Sequence, residues 1–477
     1  MKTLSVKVAI IGAGSAGMAA YRAVREHTDS VVVIERGSYG TTCARVGCMP
    51  SKLLISAADA AHASASAAAF GVDTSTRVDG KRVMDRVRRE RDRFVGFVTG
   101  AVVAWPEAHR LLGAARFLSP NELQVGEDTV VRADRIVIAT GSSPMVPAAW
   151  RSAVGDRLDT NDDVFDWDDL PGSVAVVGTG VIGLELAQAL HRLGVRVRLY
   201  GRSNLVSPLT DPVVREVATA ALTSELPATL GVSIEPSLDP QGDVAVWATD
   251  AQGGKSVDVF ERILVAIGRR PNLDSLNLAV TGMALDARGV PTVDASTGET
   301  SVPHIFLAGD VSDDLTLLHE ASDEGRIAGD NAGRYPAIRH RPRRAPLAIT
   351  FTDPQIAIAG YSFATLVAND ISFVTGQASF EDQGRSRVML RNKGMIHVYA
   401  DPETGRFLGA EMAGPSAEHI GHLLAWSAQR GDTVQQMLDS PFYHPVVEEG
   451  LRTALRDVKT RLRVQPQNIE TCLDCAA

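Results

Sequence analysis

The stretch Gly40–Lys52, GTTCARVGCMPSK, sets Cys43 and Cys48 four residues apart near the front of the chain. The only other cysteines, Cys472 and Cys475, stand at the far end in TCLDCAA. Three chemistries are open to the front pair: dithiol–disulfide exchange, metal ligation, or none, as inert buried thiols. No paired histidines or second cysteine pair lies close in sequence to Cys43 and Cys48, so no metal is expected there. In a regular helix, residues five apart have Cα atoms about 8.7 Å apart, and a disulfide needs less than about 7 Å. A Cys43–Cys48 bond therefore requires a distorted first helical turn, for which Gly47 supplies the freedom. A bond strained in this way is easily reduced, as a catalytic disulfide must be.

Thiol exchange needs a base, because an ordinary thiol is mostly protonated at neutral pH. Of eleven histidines, His444 in FYHPVVEEGL has the most suggestive setting, with Pro445 after it and Glu449 five residues on. A carboxylate on one ring nitrogen fixes the tautomer and stabilises the imidazolium. His319, in LLHEASDEG, reads as a packing or cofactor-proximal residue. His419 and His422, in EHIGH, share a helix face and read as surface residues of an interface helix.

These groups need elements to hold them. Strand Val6 to Ile11 runs into Gly12, Gly14 and Gly17, then a small-residue helix, then a second strand ending in Glu35. This is the full βαβ context of a dinucleotide site: glycines for a tight turn and close backbone approach to a pyrophosphate, and an acid for ribose hydroxyls. The pattern repeats at Gly178, Gly180 and Gly183. There the position equivalent to Glu35 is Gly201, followed by Arg202 and Ser203. An acid would repel a 2′-phosphate and an arginine pairs with it, so the second unit is expected to prefer NADP(H) over NAD(H). Two dinucleotide sites in one chain imply hydride passing between a nicotinamide and a flavin. Strands also run into Thr140-Gly141, into Gly268 of GRRPN, and into Asp310 of LAGD, where an acid can reach a cofactor's sugar or polyol hydroxyls.

The fold class is α/β: two Rossmann-like dinucleotide-binding domains followed by a C-terminal α+β domain. A chain of 477 residues is too long for one core. The expected segments are a first FAD-binding segment at 1–147, an NAD(P) domain at 148–271, a return to the FAD region at 272–345, and an interface domain at 346–477. The net charge of −9 argues against nucleic acid as a partner. The basic run from Arg86 to Arg93 reads as a solvated helix face, and that from Arg339 to Arg344 as an exposed linker. With no targeting segment and no apolar run of bilayer length, the expectation is a cytoplasmic protein off the membrane.

Taken together, GTTCARVGCMPSK, the two glycine motifs, ATG and LAGD resemble the FAD-dependent pyridine nucleotide–disulfide oxidoreductases over nearly the whole chain. That family includes dihydrolipoamide dehydrogenase, glutathione and thioredoxin reductases and mercuric reductase. The resemblance implies that Cys48 faces the flavin as the charge-transfer thiolate and Cys43 is the interchange thiol. It implies that Lys52 sits near flavin N5 and pairs with Glu185, and that Thr42, Thr140, Gly141 and Asp310 belong to the FAD site. His-Pro-x-x-x-Glu matches at His444 and Glu449, with a cis peptide bond expected before Pro445. In the family this base enters from the partner subunit, which implies an obligate homodimer.

Within the family the overall likeness is to dihydrolipoamide dehydrogenase, with a dithiol substrate such as a lipoyl-bearing protein. Phe442, Tyr443 and Val446 around the base, and Arg202 in place of an acid, depart from that pattern. A C-terminal Cys472/Cys475 pair is similar to the electron or metal relay of mercuric and large thioredoxin reductases, which makes a reductase of that type the alternative. A flavin-bound redox sensor or complex subunit is the non-enzyme alternative.

Overall fold

In a computed structural model, which describes residues 2–463, the chain forms two compact units. One joins residues up to 204 with 226–343; the other joins 205–225 with residues from 344 onward.

The first unit holds two parallel sheets. In one, strands Arg110–Leu112, Val31–Glu35, Lys2–Ile11 and Thr129–Ile138 lie side by side, and Ile305–Leu307 pairs with the last of these. Two antiparallel strands, Glu122–Val125 and Ala115–Ser119, extend it. The other is ordered Ala228–Leu230, Arg196–Gly201, Ser173–Val177, Arg262–Val265, Leu158–Asp159. Their central strands are continuous apolar runs, with Val8, Ala9 and Ile10 fully buried and Ser173–Val177 buried along its length. Such runs suit a parallel sheet covered on both faces. Short strands Ser142–Pro144 and Arg269–Pro271 pair antiparallel, so the turns after two sheet strands, one in each sheet, meet.

The second unit is a five-stranded antiparallel sheet, ordered Leu347–Thr350, Gln355–Gly360, Phe407–Gly414, Met395–Ala400, Val374–Ser379. Helices Ala417–Arg430 and Glu449–Lys459 pack on it. So does helix Pro212–Thr223, which lies within the segment 148–271 expected to form the NAD(P) domain. The reason is a buried polar knot. Asp211 caps that helix, accepting from Val213 N at 3.0 Å and Val214 N at 3.2 Å. Its other oxygen accepts from His397 Nδ1 at 2.7 Å and Tyr399 OH at 2.9 Å. Glu411, fully buried, accepts from Thr210 N at 2.6 Å and Asp211 N at 3.0 Å. Burial would raise the Asp211 carboxyl, but the hydrogen bonds from His397, Val214 and Tyr399 outweigh it and hold it low. Buried polar groups satisfied in this way fix one arrangement of the segment.

The basic segment Arg339–Arg344 is not a freely exposed linker. Arg341 pairs with Asp330 at 2.9 Å, and Arg343 pairs with Glu324 at 2.8 Å and with Glu320. Those acids are buried on helix Leu318–Arg334 and need the cations. The other basic run lies on helix Gly80–Val103, where Arg89 and Arg93 are exposed while Arg91, 14% exposed, pairs with Asp166.

Candidate active site

Cys43 and Cys48 do not share one distorted helix. Cys43 lies on the short helix Thr42–Arg45, capped by the Thr41 hydroxyl, and Cys48 opens the next helix, Cys48–Ala65. Val46 and Gly47 form the break. A side chain at Gly47 would stand 3.1 Å from Thr42 O and 3.2 Å from Cys43 Cα, so the turn folds back closely enough to bring the two sulfurs together. Both are free thiols here, and they are hydrogen-bonded to each other.

That bond makes the two thiols unlike. The Cys43 thiol donates, which pulls the Cys48 thiol down to about 7 against the effect of burial; the positive charge of Lys52 adds to it. Cys43 is pushed up by the same bond and by burial. Cys48 also sits at a helix N-terminus, where the backbone favours an anion. The geometry therefore favours one thiolate, on Cys48, with Cys43 keeping the proton. Lys52, one turn on, donates to Glu185 Oε2 at 2.8 Å. Glu185 is buried, on helix Val181–Arg192.

The first glycine motif lines a cavity of about 260 Å³ shared with Glu35, Thr42, Thr140, Gly141 and Ser142. Gly12 has φ +107°, and a side chain there would meet Ala139 O at 2.3 Å; Gly14 opens onto empty space. Glu35 Oε2 accepts from Ala13 N at 2.8 Å and Oε1 from Gly37 N at 3.0 Å. The Thr140 hydroxyl is buried with no hydrogen-bond partner. An orphaned hydroxyl, an open backbone cradle and a fixed carboxylate at the strand end fit a dinucleotide such as FAD. Asp310 is linked to this cavity through Ser142, whose hydroxyl donates to Asp310 Oδ2 at 3.1 Å.

The second motif repeats the backbone. Gly178 has φ +118° and stands 2.1 Å, by its absent Cβ, from Ala266 O; Gly180 opens onto empty space; Gly183 packs on Gly178 O. Gly201 ends its strand buried, and Arg202 and Ser203 follow it exposed. Gly268 has φ +124°, and its carbonyl accepts from Met145 N at 2.9 Å.

In the second unit, His444 Nδ1 lies 3.0 Å from Glu449 Oε1 and 3.2 Å from Oε2, and the peptide bond to Pro445 is cis. Val446 N donates to Glu449 at 3.2 Å. The imidazole hydrogen bond, with the Val446 amide, holds the Glu449 carboxyl below its ordinary range. The ring itself is 81% exposed. His319 is half exposed, 3.6 Å from Glu320. His419 and His422 lie on helix Ala417–Arg430, His419 near Glu418 at 3.7 Å and His422 against Glu418 O. Cys472 and Cys475 lie outside the described residues. Among those described, no group of three His, Cys, Asp or Glu could hold a metal, and no helix is long and apolar enough to cross a membrane.

Residues 6–325 match the family described as pyridine nucleotide-disulphide oxidoreductase, and residues 347–455 match its dimerisation domain. The chain belongs to this family. Membership implies FAD and a nicotinamide nucleotide as cofactors, and the dimerisation domain supports a homodimer. Dihydrolipoyl dehydrogenase of Halobacterium salinarum is 30% identical over 459 residues, covering 94% of this chain and 95% of that one. Mercuric reductase of Shigella flexneri is 31% identical over 474 residues, covering 95% and 82%. Among solved structures, LpdA from Mycobacterium tuberculosis superposes with a TM-score of 0.80 at 23% identity, over 94% of this chain and 99% of that one. The flavoprotein disulfide reductase RclA from Escherichia coli does so at 0.78 and 22%, over 95% and 99%. These two share the fold.

The oxidoreductase site also holds residues that sequence reasoning missed. Arg269, of GRRPN, donates to Ser142 Oγ at 2.9 Å, Ser142 O at 2.8 Å and Asn161 Oδ1 at 3.3 Å. Asn161 is buried and donates to Val46 O at 3.1 Å. Asp162, beside it, lines the cavity, and burial raises its carboxyl despite Arg269 at 3.5 Å. A polar pair in TNDDVF carries no spacing that points to Val46, 115 residues earlier, between the cysteines.

Proposed function

We propose that this oxidoreductase exchanges two electrons between NADP(H) and a dithiol of the dihydrolipoamide kind. The observation that carries the substrate class is the His444–Glu449 pair. A carboxylate on Nδ1 leaves Nε2 to take up and return a proton, and organic dithiols bring protons that must move. The nucleotide preference rests on Arg202, which follows Gly201 at the strand end where the first cradle has Glu35.

In the forward direction, a substrate thiol gives its proton to His444 and its sulfur attacks Cys43 of the Cys43–Cys48 disulfide. Cys48 leaves as a thiolate, stabilised by its helix N-terminus and Lys52. The second substrate thiol displaces Cys43, which takes a proton, and a cyclic disulfide departs. Lys52 and Glu185 would balance the charge beside the thiolate, and Gly12, Gly14, Glu35, Thr140 and Asp310 would hold FAD. When bound, FAD supplies the two-electron transfer between the dithiol and the nicotinamide. Gly178, Gly180, Gly183 and Arg202 would hold the nucleotide, and the homodimer would share its active sites across the interface in the cytoplasm.

The test is turnover of dihydrolipoamide by the FAD-loaded protein with NADP⁺ and NAD⁺ in parallel. A rate of about 10 s⁻¹ or more with NADP⁺ supports the reading. No turnover with either, in a protein whose flavin NADPH still reduces, overturns it.

The mercuric reductase relatives, as similar as the dihydrolipoyl dehydrogenases, favour a second reading in which Cys472 and Cys475 relay electrons or metal. Removing everything after Arg463 would then abolish turnover; full activity without the tail would refute the relay.

A further inference from the structure

The turn between the two cysteines has a missing donor. Gly47 O accepts from Ser51 N at 3.1 Å and starts the redox helix. The carbonyl before it, Val46 O, would take the N–H of residue 50 in the same pattern. That residue is Pro50, which has none. An orphaned carbonyl away from water is costly, so the turn would rotate to find a partner. Asn161 supplies one: its amide donates to Val46 O at 3.1 Å, from a side chain buried in a different part of the fold.

Asn161 is itself held. Its Nδ2 also reaches Asp162 Oδ1 at 2.9 Å, and its Oδ1 accepts from Arg269 at 3.3 Å. The same guanidinium grips Ser142, which binds Asp310. One arginine thus ties the rim of the FAD cavity to the backbone between Cys43 and Cys48.

We propose that Asn161 is a positioning residue for the redox turn, replacing the N–H that Pro50 lacks and so holding the Cys43 thiol against the Cys48 sulfur. The proposal rests on the reading of Cys48 as the resident thiolate. The groups acting on Cys48 are Cys43 on the preceding helix, Lys52 on its own, and Glu185 on helix Val181–Arg192. On helix Gly80–Val103, also packed there, Arg86 is bound to Leu53 O at 3.2 Å. Asp162 and Arg269 face Asn161 rather than the sulfurs. Removing the Asn161 donor leaves all of these charges in place and changes only the turn.

The test is the pH profile of Cys48 alkylation in the reduced, FAD-loaded protein, mapped by mass spectrometry, for wild type, Asn161→Leu and Asn161→Ala. Asn161→Leu keeps a similar shape and loses the donor without adding a charge. The wild-type midpoint should lie near neutral, and both variants should raise it by about one unit. FAD content and thermal midpoint are measured on the same samples. A wild-type midpoint in the ordinary thiol range would overturn the thiolate reading itself. A near-neutral wild type with unmoved variants would overturn the Asn161 role alone. Failure of both variants to fold would also overturn it, making Asn161 a residue of stability and not of positioning.

Discussion

The two dinucleotide cradles of the first unit share a backbone and differ at one strand end. Gly12 and Gly178 both take positive φ and both touch a carbonyl of the neighbouring strand's turn, Ala139 and Ala266. Gly17 and Gly183 each rest on the carbonyl of the first glycine, and Gly14 and Gly180 each open onto space. At the strand end the match stops. Glu35 is fastened by Ala13 N and Gly37 N, whereas Gly201 has no side chain and Thr179 takes the place of Ala13. A Cβ at Gly201 would lie 2.5 Å from the Thr179 methyl and 3.1 Å from Leu230. The second cradle has therefore closed the space an acid would use and put Arg202 just beyond it. Glycines specify how a backbone approaches a pyrophosphate; the strand end specifies which ribose it accepts.

The largest test of this comparison is one methyl group in each cradle. Gly12→Ala and Gly178→Ala place a Cβ on a backbone oxygen and force L geometry at positive φ, a cost of about 3 kcal/mol or more at each site. Gly12→Ala should purify without FAD. Gly178→Ala should keep the yellow cofactor and lose reduction by NADPH, read by absorbance and stopped flow. Equal loss of FAD in both would break the assignment of one cradle to each cofactor.

A smaller effect is expected at the strand end. Arg202→Ala removes a charge-assisted contact worth about 1.5–3 kcal/mol, so KM for NADPH should rise about 10- to 150-fold while that for NADH stays put. Gly201→Asp alone should misfold the loop; paired with Thr179→Ala it should be tolerated and favour NADH. Unchanged nucleotide preference in both variants would remove Arg202 from the account.

The smallest concerns the orphaned hydroxyl of Thr140. Thr140→Val swaps it for a methyl of like shape. The apoprotein should be as stable or slightly more so, and the FAD dissociation constant should rise about fivefold for one lost hydrogen bond of about 1 kcal/mol. Tighter FAD binding would place that hydroxyl outside the site.

Much of this site was legible because its signals are local. A glycine at a fixed offset, a Cys-x4-Cys and a His-Pro-x-x-x-Glu each concern a few adjacent residues, and His444 and Glu449 meet at hydrogen-bond distance. Lys52 and Glu185, 133 residues apart and paired by the family resemblance alone, also meet at 2.8 Å. What stayed hidden acts across the chain. The C-x4-C spacing alone suggested one distorted helix, and the break at Val46–Gly47 emerged only with the fold. Asn161 has no pattern of its own, since its partners Val46 and Arg269 are 115 and 108 positions away. Helix Pro212–Thr223 follows the second cradle in sequence, yet it belongs to the second unit, where its cap, Asp211, bonds to His397 and Tyr399 of the antiparallel sheet. Arg341 and Arg343 read as linker charges because nothing nearby in sequence shows the buried acids they neutralise.

Electrons pass between the nucleotide and one specific pair of sulfurs, Cys43 and Cys48. The direct measurement is anaerobic addition of NADPH, or of NADH, to the oxidised FAD-loaded protein, followed by timed alkylation and mass mapping of every cysteine. Cys48 and, more slowly, Cys43 should open to alkylation as the flavin is turned over, at least about tenfold faster with NADPH. A flavin that bleaches while both cysteines stay blocked would contradict the account.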